Sequence, residues 1–560
     1  MQNYFQQLAK QFSKNPTKAY LLLANFILTI FAIWFANLGL LPFQKLGDFI
    51  FFIVLVLVFA LYRPGWAFVL FIGALALENV NLAPTSIGLT LKPYQLLGAL
   101  TLLSLFVRQL IGRQVITLPK FSWADVLPLL FGLGGFLSAL GGMERGLNLK
   151  QAIIATSFVA LYFLVRIYVQ SLAELKRIIP FFLSSGLIVA CYAIWQNLHP
   201  TLEVMPGRPN STFTEPDWLG VYLTFLLASL LIWLFYISKN YKEKENHLIF
   251  NFQFSILNQF FNVHIFKKLV VYIFLLIVAI TLILTVSRSA WLGALVVVLA
   301  FLKLTLIYGE ASLINNETSG FWSNISLAIK KPWHWKKFFA ALGSLVLTII
   351  LSLGIIYVFQ LTTFQLGSRA QSTGGLQKIT IACQGGLDVA VPEKISNIEE
   401  LERYHCRHIN LEEIETEKTI GKLIFEVYRP DPNVNIRAKI YATVFEQIKN
   451  HPIFGIGWGS IGKVLGQDAR GTGFNASNIF LEVWLGAGLL GFLAFVVLLV
   501  YLLGLSYLKL VKSAANDVAS LFVFLGLVAI IIPNLFNSGI FLGFLWVYLA
   551  IAVSLLTLKK

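Results

Sequence analysis

The chain has 560 residues, 57% of them hydrophobic and 12% charged, with a formal net charge of +16 and a mean hydropathy of +0.76. Soluble domains carry about a quarter charged residues, so this composition excludes an ordinary soluble enzyme and places the chain in a bilayer. The basic residues cluster in short loops between apolar runs, which reads as membrane topology and anionic headgroups, with no nucleic-acid partner.

A span needs about 20 mostly apolar residues. On that measure fourteen stretches qualify, centred near residues 30, 55, 72, 103, 132, 159, 187, 228, 277, 298, 349, 488, 526 and 547. The second and third are short and separated only by YRPGW (62–66). The first twenty residues are polar and basic and lead into further spans, which is not the pattern of a cleaved signal peptide. The predicted fold class is an all-α polytopic membrane protein with about 14 transmembrane helices (12–14) and one large, mainly helical outer (periplasmic) loop. The predicted divisions are 1–180, N-terminal spans; 181–360, central spans; 361–476, the large loop; and 477–560, C-terminal spans.

Loop charge orients the chain. With the N-terminus inside, the basic loops 108–120, 174–177, 239–247, 329–337 and 509–512 all fall on the inner side. Loops 41–47, 81–95, 141–150 and 361–475 fall outside, and the last has as many acidic as basic residues. The positive-inside rule therefore predicts a multi-pass bacterial cytoplasmic (inner) membrane protein with both termini cytoplasmic. The long outer segment holds a glycine-rich start, a charged middle and, in IRAKIYATVFEQIK, apolar residues at helical spacing. HPIFGIGWGSIG (451–462) then ends that helix with proline and glycine.

Three arginines stand at the outer rim. Arg208 lies in PGRPNSTFTEPDWLG, beside Glu215 and Asp217; Arg288 lies in the reversal LTVSRSAWLG; Arg437 opens the amphipathic helix. A guanidinium is always charged and its planar fork matches phosphate oxygens. Several converging there suit a diphosphate whose lipid tail stays in the bilayer. Snorkelling to headgroups is the competing reading for any one of them, and Arg288 resists it because small hydroxyl residues flank it in a tight turn. Glu482 is an ionisable residue at a span, costly unless paired or functional.

Cys191 sits in an apolar span. Cys383 and Cys406 share the outer segment, where HCRH (405–408) offers either an irregular zinc cluster or, with Cys383, a disulfide suited to an oxidising compartment. Closing that loop would contribute about 3 kcal/mol. No metal and no cofactor are predicted.

GRPNSTFTEPDWLGVYL, LTVSRSAWLGALVVV, IRAKIYATVFEQIKNHPIFGIGWGSIG and ASNIFLEVWLGAGLLGFLAF occur in this order over residues 180–510, and the set resembles the O-antigen ligase and O-antigen polymerase superfamily. The resemblance implies a metal-independent, inverting glycosyltransferase acting on undecaprenyl-diphosphate-linked glycans. It implies that Arg208 and Arg288 hold the diphosphate and that Arg437 acts near sugar or phosphate. The acceptor is a glycan, lipid or protein, and a polysaccharide-assembly complex is a possible partner. The family carries a His-Asn pair where this chain has Ser477 and Asn478. Either another group takes the proton, with Glu482, Glu215 and Asp217 as the candidates, or the chemistry needs no base there, or the chain is not a glycosyltransferase. Two alternatives stay open: a transporter of inorganic carbon or another small anion, and a non-catalytic assembly component.

Overall fold

The computed structural model describes residues 16–113, 119–142, 144–205, 207–245, 263–307, 335–361, 376–384, 391–409, 413–430, 432–467, 473–513 and 517–557. The basic stretches 1–15, 246–247 and 329–334 and the glycine pairs at 374–375 and 385–386 lie outside the described residues.

Each of the fourteen apolar stretches contains a helix. In chain order they are α1 (Pro16–Asn37), α2 (Leu46–Tyr62), α3 (Pro64–Ala74), α4 (Pro93–Leu110), α5 (Val126–Gly141), α6 (Arg145–Tyr168), α7 (Leu172–Asn197), α8 (Pro216–Glu245), α9 (Val263–Leu284), α10 (Arg288–Ile307), α11 (Trp335–Val358), and, beyond the long polar segment, α15 (Ile479–Lys512), α16 (Val518–Asn534) and α17 (Gly543–Thr557). Among the described residues seven are long and apolar enough to cross a membrane: those within α1, α5 (extended back to Trp123), α6, α7, α8, α11 and α15. Five further apolar helices among these residues are shorter, 10–17 residues: α2, α3, the 268–284 part of α9, α16 and α17; at about 1.5 Å per residue 17 residues reach about 25 Å against a hydrocarbon core of about 30 Å. α17 shows what such a helix is for. Every residue from Gly543 to Leu556 is buried, as expected of a helix apolar all round that forms the centre of a bundle.

The bundle has two distinct ends, tied by different bonds. At one end Asn79 N–H donates to the Thr212 carbonyl, and the buried Glu78 carboxylate pairs with Lys92 and accepts from Tyr94 and the Gly543 amide. At the opposite end Arg108 donates to the Leu61 and Tyr62 carbonyls and Lys509 to the Leu556 carbonyl. There too the buried Arg166 forks onto both oxygens of Asp125 at 2.8 and 2.9 Å and reaches Ser554 at 2.7 Å. All of the site described below belongs to the first end.

The segment between α11 and α15 departs from the mainly helical expectation. Its middle is a three-stranded antiparallel sheet in the order β2-β1-β3, formed by β1 (Leu376–Cys383), β2 (Cys406–Ile409) and β3 (Leu423–Pro430), with a short helix α12 (Ile414–Thr419) before β3. Both strands are rich in β-branched and aromatic residues (Ile379, Thr380 and Ile381; Ile424, Phe425, Val427 and Tyr428), the composition that favours a pleated strand, but neither alternates cleanly enough to stand out from the charged residues between them. Ile379, Ile381, Ile395, Leu401 and Val427 form its core. Cys383 faces Cys406 across the β1–β2 ladder, and the two sulfurs are bonded, so the Cys406 thiol is not a metal ligand. After β3 come α13 (Pro432–Asn450), the amphipathic helix, and the short α14 (Ile461–Leu465).

Candidate functional site

The polar segment before α8 is held rigid from within. Gln196, at the end of α7, donates to the Leu202 carbonyl and to Asn210 Oδ1, and its own carbonyl oxygen accepts the Ser211 N–H. Asn210 in turn donates to the Phe213 carbonyl, and the Ser211 hydroxyl to that of Val189. Ser211 takes a left-handed backbone, φ 51°. These buried amides and hydroxyls are paired, which is the condition for keeping them away from water.

That rigid frame presents Arg208. Its Nε–H donates to the Thr285 carbonyl at 2.9 Å and an Nη2–H to Asp217 at 3.1 Å. The arginine side chain is 18% exposed. Asp217 stands in the first turn of α8, where a carboxylate also favours the helix dipole. Glu215 accepts the Trp218 and Leu219 amides through its main-chain carbonyl and is half-buried.

Thr285 belongs to the second motif. The chain leaves α9, turns through Val286 at φ 50° and enters α10 with Arg288 as its first residue, exposed. Ser287 is fully buried and its hydroxyl lies 3.2 Å from that of Ser289. Gly220 makes the approach possible, since a Cβ there would press into Ala290 and Ser287. The main chain thus separates Arg288 by three residues from the carbonyl that Arg208 grips.

The third group is the start of α15. Asn478 is its N-cap: Oδ1 accepts from the Phe480 and Leu481 amides, while Nδ2 donates to the Leu535 carbonyl. Ser477, at φ 50°, receives the Tyr441 hydroxyl on its main-chain carbonyl at 3.3 Å. Arg437, exposed, precedes Tyr441 by four residues on α13 and so shares its face. Glu482 is 6% exposed; its Oε2 accepts the Ala476 N–H at 2.6 Å, and among the described residues it forms no ion pair. It therefore fixes the loop that carries Ser477.

HPIFGIGWGS packs against a break in α15. At Gly488, φ 65°, the helix is interrupted, freeing main-chain groups that need partners. The Leu489 N–H donates to the Ile453 carbonyl, and the Leu485 carbonyl accepts from Ile456 and Gly457. Gly455 and Gly457 both have positive φ, and a Cβ on Gly455 would press into the Leu485 carbonyl. Asn148, fully buried on α6, ties this loop down through the Ile456 carbonyl and Ser460. This explains the glycine spacing as packing.

Arg208, Asp217, Arg288, Ser477, Asn478 and Glu482 all belong to elements that touch one another at one end of the bundle. Sequence reasoning missed Asn148 and the turn Leu535-Phe536-Asn537-Ser538. A cluster of Asn, Ser and Gly between the last two apolar runs was the available signal.

Residues 273–496 match the sequence model of a family described as O-antigen ligase. The matched stretch contains Arg288, Arg437, Ser477, Asn478 and Glu482; Arg208 precedes it. A search of curated proteins and a search of solved structures each gave no match.

Proposed function

The chain carries a domain of the O-antigen ligase and polymerase superfamily, and from that premise we propose that it transfers or polymerises a lipid-diphosphate-linked glycan at the outer face of the cytoplasmic membrane. The observation that carries this reading is the bond from Arg208 to the Thr285 carbonyl, which sets two arginine-bearing motifs from different hairpins side by side. The outward orientation rests on charge: the opposite end of the bundle bears Arg63, Arg108, Arg113, Lys120, Lys176, Arg177, Lys509 and Lys512, as the cytoplasmic side should. The disulfide supports the same orientation, because such bonds persist in oxidising compartments.

In the proposed reaction an acceptor hydroxyl oxygen forms a bond to the anomeric carbon as the bond from that carbon to the diphosphate breaks. The displaced group leaves as undecaprenyl diphosphate. Attack from the side opposite the leaving group inverts the anomeric centre. Arg208 and Arg288 meet the charge that grows on the departing oxygen, and because Thr285 and Asp217 already hold Arg208, that guanidinium needs little reorganisation at that moment. Arg437 reaches towards sugar or phosphate from α13. The hydroxyl proton goes to Glu482, the carboxylate on the turn following Ser477 and Asn478. No step calls for a metal.

The test is glycan assembly in cells. Arg208→Ala and Arg288→Ala should each abolish long-chain or surface-attached glycan while the protein stays in the membrane. Normal glycan in both variants would sink the proposal, and loss of small-anion uptake with normal glycan would point to a transporter instead.

A further inference from the structure

One residue links the two halves of the site. Asn537 lies in the turn between α16 and α17 and is 8% exposed. Its Nδ2 donates to the Ser289 hydroxyl at 2.8 Å and to the Pro533 carbonyl at 3.2 Å. Ser289 directly follows Arg288. Two residues before Asn537, the Leu535 carbonyl accepts from Asn478 at 3.0 Å. On its other side Ser538 is buried close to Glu482, outside hydrogen-bond geometry. A continuous path therefore runs from Arg208 through Thr285, Ser287 and Ser289 to Asn537, and along the turn through Leu535 to Asn478 at the start of the helix that carries Glu482.

We propose that Asn537 is a positioning residue: it sets the distance between the arginines that hold the leaving group and the α15 terminus that receives the acceptor. The family match ends at residue 496 and assigns nothing to this turn. The inference rests on the glycan-transfer reading and adds a division of labour to it. Arg208 keeps its bonds to Thr285 and Asp217 without Asn537, so anion binding does not depend on the amide. Alignment does, because a small displacement of reacting groups costs rate far more than affinity. Ser289 is the partner through which Asn537 acts, since its hydroxyl sits one residue from the arginine and one hydrogen bond from the turn.

The experiment uses the full chain in nanodiscs of phosphatidylethanolamine and phosphatidylglycerol. Binding is measured with undecaprenyl diphosphate, and turnover with lipid-linked glycan extracted from the source membranes. Asn537→Ala should lower kcat about tenfold, the scale of one lost buried hydrogen bond, and leave the Kd for undecaprenyl diphosphate within about twofold. Ser289→Ala should do the same, and the loss in the double variant should fall clearly short of the sum of the two single losses, since both remove the bond between Asn537 and Ser289. Unchanged kcat in the single variants, additive losses, or Kd rising in step with the fall in kcat would each overturn the proposal. Should Asn537→Ala fail to fold, Ser289→Ala carries the same split between kcat and Kd. A wild-type protein that neither binds undecaprenyl diphosphate nor turns over would instead overturn the glycan-transfer reading, and this inference with it.

Discussion

Arg208 and Asp217, nine residues apart, form an ion pair at 3.1 Å whose side chains are 18% and 29% exposed. The aspartate therefore holds one edge of the guanidinium while the Thr285 carbonyl holds Nε. Lysine has no planar fork with which to satisfy both partners. Arg208→Lys should retain the charge yet lose the bridge, and glycan transfer should fall about tenfold to a hundredfold, with Arg208→Ala lower still. Transfer rates from membranes containing equal amounts of each variant test this; a fully active Arg208→Lys would show that charge alone suffices.

Glu482 offers a separation of structure from chemistry. Glutamine at this position can still accept the Ala476 N–H through its carbonyl oxygen, so the loop geometry should survive. A base cannot be replaced so. Glu482→Gln should therefore melt within a few degrees of wild type and lose about a hundredfold or more in kcat, the usual contribution of a positioned base. Wild-type turnover in this variant would reduce Glu482 to a fastener of the Ser477 loop.

The break in α15 predicts a contrast between two glycines on one helix. Gly488 has φ 65° and an added Cβ would press into the Ile453 and Phe454 carbonyls, whereas nothing lies within 4 Å of a Cβ at Gly504. Gly488→Ala should destabilise the protein by about 1–3 kcal/mol from backbone strain and displace the HPIFG loop. Gly504→Ala should be neutral or stabilising, because alanine is the better helix former. Thermal melts in detergent decide it.

At the opposite end, Asp125 and Arg166 are both nearly inaccessible, with side chains 2% and 4% exposed. Losing one member leaves the other buried and uncompensated, at a cost of about 3–5 kcal/mol. Arg166→Met alone should thus be more damaging than Arg166→Met combined with Asp125→Leu, as measured by the fraction of protein recovered folded from membranes. A double variant worse than Arg166→Met would contradict the electrostatic account.

The sheet unit should respond to acid in two windows. Lys422, paired with it at 2.8 Å, and then Arg407, which donates to it, hold the Glu417 carboxyl below its ordinary value of 4.5. Its contribution is therefore present above pH 4.5 and is lost as pH falls through the lower folded value. Burial, aided by Arg429, pushes His408 below its ordinary 6.5, so the neutral ring is favoured by folding and some stability drains away as pH falls below 6.5. Hydrogen exchange of residues 406–428 in the full chain should show both steps, and Glu417→Gln should remove only the lower one. A single step common to both proteins would refute the assignment.

Much of this architecture was written in hydropathy. Fourteen apolar stretches each contain a helix, because a chain without water must satisfy its main-chain groups internally. The sheet left only a compositional trace, the β-branched and aromatic residues of LQKITIAC and LIFEVYRP; its two long strands lie some forty residues apart and only pairing reveals their register. Length and composition support seven of the helices as spans. The second and third stretches were already visible as short in the linear reading, whereas the burial of α17 on every side emerged only from the packing.

The sequence by itself determined that this is a polytopic membrane chain with three arginine-bearing motifs in a fixed order, because composition and spacing are properties of the linear chain. Only the tertiary structure decided which of them meet. The bond from Arg208 to Thr285 joins residues 77 apart, and the one from Asn537 to Ser289 joins residues 248 apart. No local periodicity encodes such contacts: they arise when helices from distant parts of the chain pack side by side and their loops, caught at the same end, must find partners for polar groups that water no longer reaches.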